Sequence, residues 1–511
     1  MSDPVFGIVI RRIDHEPRPV IGADMSTIGL IGPADEADAA VYPLNTPVLI
    51  YSNDTTKLKK LGALGYLPDA IRGINDQLGE FQSAARMVIV RTATGTNADP
   101  AVKLQQTIAN IMGDSLQGTG LSAFLQAPDK LAVTPRLIAA PGYTGQMANS
   151  LGTLTVNTIG EGYEPNETYT VTFTGGGTNA TIVQATAHAV ANTDGEITTN
   201  DIVIDSYGAW YTSAPTVAIE APPAGGGAVT ATATATISVG ANPIVASLTS
   251  ILNQLVAHAV VESTGSSEVA DKDWRETINS QRIIPISGGC RIMDPATGNI
   301  LIRPLAPRIL GVAVRRDHEK GAPFHSWANQ PIQGILGPAR DMKFSIVDGA
   351  NEGQSLLSAN IGILVRGEVG NDFAISSGGF IFVGTDVATD DPLWMFYNVT
   401  RGRDYIHLGL IRTLRSYLGR FNITGHTIKA ILNTMHFFLR DLMADEHILG
   451  FKVHFRGSQN SAEEIRLGHL TVSFAAEEAP VLRKITTESA RYRPAIDAMV
   501  KQLEAQLNMA V

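Results

Sequence analysis

Arg136-Leu-Ile-Ala-Ala-Pro-Gly142 and Ala259-Val-Val-Glu262 are two short apolar runs, and Ile244–His258 just before the second has helical spacing. Strand, helix and strand in that order form the signature of a parallel crossover, and so of an α/β domain. The chain between the first strand and the helix has another character. No Lys or Arg occurs between Arg136 and Lys272, whereas Glu161, Glu164, Glu167, Asp194, Glu196, Asp201, Asp205 and Glu220 do. Thr, Val, Gly and Ala alternate with period two, most plainly in Val229-Thr-Ala-Thr-Ala-Thr-Ala-Thr-Ile237, the pattern of a half-buried strand. Residues 146–240 therefore read as an all-β module inserted in a loop of the α/β domain. Lengthening an exposed loop costs little additional closure entropy.

The module contains a repeat. Gly162-Tyr-Glu-Pro, Thr170-Val-Thr-Phe173, Gly175–Gly177 and Ala180-Thr-Ile-Val183 make one unit. Ala209-Trp-Tyr-Thr, Thr216-Val-Ala-Ile219, Gly225–Gly227 and the Val229 strand make the other. Two such units packed through their apolar faces predict a small β-sandwich-like module.

Outward from there, Thr27–Gly32, Val48–Tyr51, Met87–Arg91, Ile283–Ile286, Ile309–Ala313 and Phe380–Gly384 read as strands. Asp69–Gln82 and Pro100–Met112 read as helices. Arg403–Phe421 and His426–Asp445 are amphipathic helices, the first with Leu408, Ile411, Leu414 and Leu418 as its apolar stripe. Strand-like runs Gly450–Phe455 and Leu467–Phe474 follow, then an extended segment Pro480–Tyr492 and a helix Pro494–Leu507 opened by its proline. The expected organisation is an arm at 1–22, an α/β domain at 23–145 and 241–395 split by the module, a C-terminal α+β domain at 396–479, and an arm with a terminal helix at 480–511.

Both ends are unusual. Phe6, Ile8 and Ile10 alternate on one face of a strand set off by Pro17-Arg-Pro19, and Leu482 and Ile485 lie in the second extended segment. Each is either an edge strand of its own domain or a strand that completes a sheet in a neighbouring subunit.

With 511 residues the chain is long enough for about three or four domains. Its 44% hydrophobic and 17% charged content excludes global disorder. A net charge of −10 argues against nucleic-acid binding through overall charge. The single cysteine, Cys290, excludes an internal disulfide framework and a cysteine-based zinc site, and is expected to be a small buried hydrophobe. The start lacks a basic and an apolar signal region, and Pro243–Val261 is interrupted by Ser247, Asn253, Gln254 and His258. A soluble, intracellular-type chain without membrane insertion is expected.

Catalytic patterns are absent: no phosphate loop follows Gly118-Thr-Gly120, and neither a Gly-x-Ser-x-Gly elbow nor His-Glu-x-x-His occurs. Asn192-Thr-Asp-Gly-Glu196 reads as a turn. Tyr163, Tyr207, Trp210 and Tyr211 are a candidate glycan-stacking platform, and Glu161, Glu164, Asp201 and Asp205 would supply acid and base if the module cleaved carbohydrate. The C-terminal part is basic: Arg412, Arg415, Lys429 and Arg440 on the helices, then Arg483, Lys484, Arg491, Arg493 and Lys501. Such a surface suits an acidic protein partner.

In order along the chain, several stretches resemble the contractile tail sheath proteins of tailed bacteriophages and related contractile injection particles. They are Phe6-Gly-Ile-Val-Ile10 with its proline leash, Thr27-Ile-Gly-Leu-Ile-Gly-Pro33, Leu310-Gly-Val-Ala-Val-Arg-Arg-Asp317, Trp327-Ala-Asn329, Gly384-Thr-Asp386 before Trp394, Gly450-Phe-Lys-Val, and Gly468-His-Leu-Thr-Val-Ser-Phe474. The resemblance skips 146–240, and Pro494–Val511 runs past the family's closing tail. It implies an α/β sheath core, an inserted module at 146–240 that faces outward, and a C-terminal domain near the tube that exchanges strands with neighbouring subunits. It further implies a structural protein of the virion, assembled in the host cytoplasm, without cofactor or enzymatic activity. Its partners would be further copies of itself in stacked hexameric rings, the tail tube protein, and baseplate and tail terminator proteins. The basic residues named above become candidate tube contacts, and contraction would drive the tube through the host envelope. A phage-tail-like bacteriocin sheath and a carbohydrate-binding virion protein remain as alternatives.

Overall fold

The computed structural model describes residues 23–80, 82–177, 182, 184–223, 228–294 and 297–508. The N-terminal arm with Phe6, Ile8 and Ile10, and most of the two sequence segments Ala180–Val183 and Gly225–Gly227, lie outside the described residues. Two compact units emerge, Met1–Ala479 and Pro480–Val511.

The first unit begins with β1 (Ile28–Pro33), β2 (Pro47–Tyr51), α1 (Thr55–Leu61), α2 (Tyr66–Asn75), β3 (Arg86–Thr92), α3 (Pro100–Met112), α4 (Ala127–Leu131) and β4 (Leu137–Ala139). Then come β5 (Ser150–Thr158), β6 (Thr168–Gly175), β7 (Thr186–Val190), β8 (Ile202–Ser206), β9 (Pro215–Ile219) and β10 (Thr232–Ser238). After α5 (Pro243–Leu255) the chain returns through β11 (His258–Glu262), α6 (Glu268–Glu276) and β12 (Ile283–Ile286). The first sheet runs β12-β11-β4-β1-β3-β2. It is parallel except for β2, and both faces are buried, which is why its strands are almost wholly apolar. The crossover inferred from sequence is β4–α5–β11, with Ala259 beside Ile138. Asn242 caps α5 through its side-chain oxygen, and its amide donates to the carbonyls of Tyr143 and Gln146 (2.9 and 2.8 Å).

Between β4 and α5 in sequence, the six strands β5–β10 form one sheet rather than two facing ones. Its order is β5-β10-β9-β6-β7-β8. The repeat units that were expected to face each other are antiparallel neighbours instead, with Phe173 opposite Val217. The sheet rolls until its edges approach. Leu151 N–H donates to the Tyr207 carbonyl (2.8 Å), and Val156 N–H to Thr199 Oγ1 (3.0 Å). Val171, Phe173 and Ala189 fill the interior with Tyr163, Tyr169 and Tyr211.

Past β12, β13 (Gly289–Met293) and β14 (Ile300–Pro304) form a hairpin, and α7 (Ala306–Lys320) follows. The Ile309–Ala313 run, expected as a strand, lies within α7. An apolar helix buried from Ala306 to Val314 cannot be told from a buried strand by periodicity. What decides the matter is at its start. Both oxygens of buried Glu262, at the end of β11, are engaged: Oε2 accepts from the Leu305 and Ala306 N–H groups (2.8 and 3.0 Å), and Oε1 from Gly142 (2.7 Å). A carboxylate there suits the positive end of a helix.

The chain continues through β15 (Gln330–Pro331), β16 (Gly337–Pro338), α8 (Glu352–Ser358), β17 (Ile363–Arg366) and β18 (Phe380–Val383); β16 adds a third strand to the hairpin, and β15, β18 and β17 form a second three-stranded sheet. The last layer holds α9 (Tyr397–Leu414), α10 (Gly425–Ala444), β19 (Ile448–His454), α11 (Ala462–Arg466) and β20 (Ser473–Glu478). Of the expected strand Leu467–Phe474, only its last two residues belong to β20. In the second unit, Pro480–Tyr492 carries no regular secondary structure and α12 spans Arg493–Asn508.

Candidate functional site

The C-terminal layer holds the candidate site. Strands β19 and β20 form a two-stranded antiparallel ladder, with Val453 opposite Phe474 and Phe451 opposite Ala476. One side packs on α9 and α10 through Ile406, Leu410, Met435, Phe438 and Leu439. Among the described residues no third strand pairs with either edge. A hairpin this small is marginal by itself, and its open edges present unpaired backbone groups.

The layer is fixed to the α/β unit by buried charge. Arg282 beside β12 grips Asp404 of α9 with two N–H groups, one of them Nη2 to Oδ1 at 3.0 Å. His258 lies 0% exposed beside this pair, its Nδ1 3.8 Å from Asp404 Oδ2 and its Nε2 3.1 Å from Thr400 Oγ1. Burial, reinforced by Arg282 and Arg401, holds its pKa well below the ordinary histidine value. Trp327 stacks on Tyr397 (4.4 Å between centroids), whose hydroxyl accepts from the Trp327 N–H and donates to the Gly384 carbonyl.

Helix α9 is buried on more than one side. It meets β19, β20 and α10 through Ile406, Leu410 and, less deeply, Leu414, whereas of the sequence stripe Leu408 is buried against Ala23 and Met25, Ile411 is 61% exposed, and Leu418, past the end of the helix, is 78% exposed. Both sides of this helix are apolar, and a stripe cannot say which side meets the core.

Of the basic residues, Arg415, Lys429 and Arg440 are exposed and Arg412 is half-buried. Arg440 bonds Asp441 (2.9 Å) and lies over the Phe437 ring. In the second unit Arg483, Lys484, Arg491, Arg493 and Lys501 are exposed, as are Leu482 and Ile485.

The four aromatic residues do not make a platform. Tyr163 and Tyr211 are core residues of the rolled sheet: the Tyr163 hydroxyl donates to the Glu220 carbonyl, and the Tyr211 hydroxyl accepts from Ala185 N–H. Trp210 packs toward the α/β core, and only Tyr207 is exposed. Asp201 closes a capping box with Thr198, and Asp205 pairs with His188 (3.0 Å). Cys290 is buried in β13, which pushes its thiol up to about 12. Among the described residues no group of three His, Cys, Asp or Glu side chains is placed to hold a metal, and no helix is long and apolar enough to cross a membrane.

This architecture is that of chains that build contractile sheaths. It matches the sheath of an extracellular contractile injection system, PVC, in its contracted state with TM-score 0.55, covering 97% of this chain and 99% of that one at 10% identity. It matches the contracted helical sheath of the anti-feeding prophage with TM-score 0.54, covering 96% and 100% at 13% identity. The curated relatives are named as tail sheath proteins. The chain is 21% identical over 491 residues to the tail sheath protein of Escherichia phage P2, covering 95% of each. It is 37% identical over 149 residues to the major tail sheath protein of Serratia phage KSP20, which is 29% of this chain and 36% of that one. No family model matches.

Proposed function

We propose that this chain is the sheath subunit of a contractile phage tail or phage-like injection system. It polymerises as stacked hexameric rings around a tail tube and shortens to drive the tube through a host envelope. The observation that carries the reading is the β19–β20 ladder, open on both edges among the described residues, in a chain that also holds the alternating Phe6–Ile10 run and the Leu482–Ile485 segment. Strands from neighbouring copies complete the sheet, main-chain bonds keep the mesh continuous, and the domains between move as rigid bodies. Contacts that do not close on themselves produce such helical polymers.

The work of contraction comes from surface buried between subunits, so neither a nucleotide nor a cofactor takes part. Arg415, Lys429 and Arg440, with the second unit's cations, are the candidate contacts to the tube. The rolled β sheet faces away from the mesh, and the assembled product is a virion or particle component that also meets baseplate and terminator proteins.

Electron microscopy of the purified chain at rising concentration, beside a variant lacking residues 1–19, tests this. Hollow tubes from the intact chain and none from the shortened one are expected. Tubes from both would remove the N-terminal strand from the account, and discrete monomers of the intact chain, even with tube protein added, would overturn the sheath reading.

A further inference from the structure

On one side of α9 lies an apolar trough of about 600 Å³, lined by Val256, Leu408, Ile411 and Leu414, with Arg282, Asp404, His407 and Arg415 at its margin. The first described residues of the chain lie at one end of it. Ala23 and Met25 form a single buried cluster with Leu408, and Val256 packs against that cluster. The path of this stretch is marked at three points. Ser26 Oγ donates to Asp317 Oδ2 (3.0 Å), the carboxylate that Arg401 grips. The Met25 carbonyl accepts from Arg401 Nη2 (3.2 Å). Ala23 belongs to the Leu408 cluster, about two turns further along α9. Followed backwards, the chain therefore runs along α9 in the direction of Ile411 and Leu414.

Its side chains also alternate. Ala23, Met25 and Thr27 are buried, whereas Asp24 is exposed and Ser26 half-buried, the period of an extended chain with one face inward. Pro19-Val-Ile-Gly22 stand immediately before Ala23 in the sequence. Carried back two places, the inward position belongs to Ile21. Two extended residues span about 7 Å. Along α9, Ile411 lies about 4.5 Å and Leu414 about 9 Å beyond Leu408. Ile411 is 61% exposed, an apolar side chain at the distance and on the side where Ile21 arrives.

We infer that the segment Pro19–Ile21 of the same chain covers the trough, with Ile21 seated between Ile411 and Leu414. The tether selects this occupant: Ile21 is joined through one glycine to the buried Ala23, so it stays within about 7 Å of it at every moment. The polar margin offers partners to main-chain groups that enter with the segment. This cover fixes where the N-terminal arm departs. The arm leaves from the C-terminal end of α9, and Ile10, 11 residues before Ile21, reaches at most about 36 Å from it. That limits which β19–β20 ladder the Phe6–Ile10 run can join, a consequence that rests on the sheath reading; the cover itself does not.

The test is the full chain carrying Ile21→Cys and Ile411→Cys, oxidised at a dilution where chains stay single and read by peptide mapping. Cys290 is buried, which leaves the two new thiols as the reactive ones. A bond between positions 21 and 411 of one chain is expected, with at least tenfold lower yield when Val20→Cys, on the outward register, replaces Ile21→Cys. Equal yields, no bond in either variant, or a bond found only between two differently tagged chains would overturn the inference. A second readout needs no disulfide geometry. The thiol of Ile411→Cys alone should react with a soluble reagent at least tenfold faster once Ile21→Asp is added, and an unchanged rate counts against the cover. Microscopy of the same chains at high concentration keeps the two readings apart. Tubes without the 21–411 bond sink the cover alone, and the bond without tubes sinks the sheath alone.

Discussion

Arg401 of α9 and Asp317 of α7 meet inside the protein as a two-pronged ion pair, Nη1 to Oδ1 at 3.0 Å and Nη2 to Oδ2 at 2.5 Å. The side chains are 0% and 5% exposed. Arg401 also donates to the Met25 carbonyl and lies over the Trp327 ring, so three separate segments converge on one guanidinium. Removing one partner strands a charge that has no water to turn to. Asp317→Asn is expected to destabilise the folded chain by about 3–5 kcal/mol, read as a fall in the urea midpoint. A change under about 1 kcal/mol would mean that water reaches the site.

His258 makes the junction between the sheet and α9 sensitive to acid. Facing it are Arg282 from beside β12 and Arg401, Asp404 and Thr400 from α9. Its folded-state pKa is depressed, so the native imidazole stays neutral where the unfolded one takes up a proton near pH 6.5. The stability it contributes is complete above about pH 6.5 and is lost as pH falls below it. His325, His407 and His447 are shifted the same way by burial and add to the slope. Urea midpoints at pH 7.5 and 5.5 are expected to differ less in His258→Gln than in the parent, by up to one proton's worth, about 1.4 kcal/mol per pH unit. Equal slopes would remove His258 from the acid response.

Much of this was legible in the residues. The β4–α5–β11 crossover could be read because Leu137–Ala139, the α5 spacing and Ala259–Glu262 are local patterns, and the interval between them is marked by its lack of cations. Three things were not legible, and each turns on long-range partners. Ile309–Ala313 looks like a strand until Glu262 is seen at the helix start. The Thr170 and Thr216 units are alike in sequence, and likeness says nothing of whether they pair edge to edge or face to face. The Leu408, Ile411 and Leu414 stripe marks an apolar side of α9, but that Leu408 is buried against Ala23 and Met25 while Ile406 and Leu410 meet the β19–β20 layer depends on segments far along the chain.

Glu262 gives a sharper test of that helix start. Burial raises its carboxyl pKa, and the three N–H groups of Gly142, Leu305 and Ala306 offset this only in part. An amide is isosteric but has one oxygen, so Glu262→Gln turns an NH₂ toward at least one of those donors. A loss of about 1–3 kcal/mol is expected from the unmet donor. Hydrogen exchange should show it at Leu305 and Ala306 or at Gly142, according to which side the NH₂ faces. Unchanged protection at all three would mean that these bonds do not hold the helix start.

The rolled sheet is expected to be removable. Its entry and exit touch: a side chain placed on Gly240 would meet the Ala148 carbonyl at 1.7 Å, so the two strands of the neck already lie in backbone contact. Below the neck, Asn242 ties Tyr143 and Gln146 to the start of α5 without help from the module. The sheet also has its own core in Val171, Phe173, Ala189 and the buried tyrosines, and takes little from the α/β layers beyond Trp210. Replacing residues 150–238 by a Gly-Ser link should therefore leave the remaining chain folded. The expected cost is about 1–2 kcal/mol for the lost Trp210 burial. Circular dichroism melting of the shortened chain checks stability, and microscopy of its assemblies checks the surface. A fall in melting temperature beyond about 10 °C would show that the module is structurally required. Intact stability without tubes would instead place the sheet in a subunit contact, against its proposed outward position.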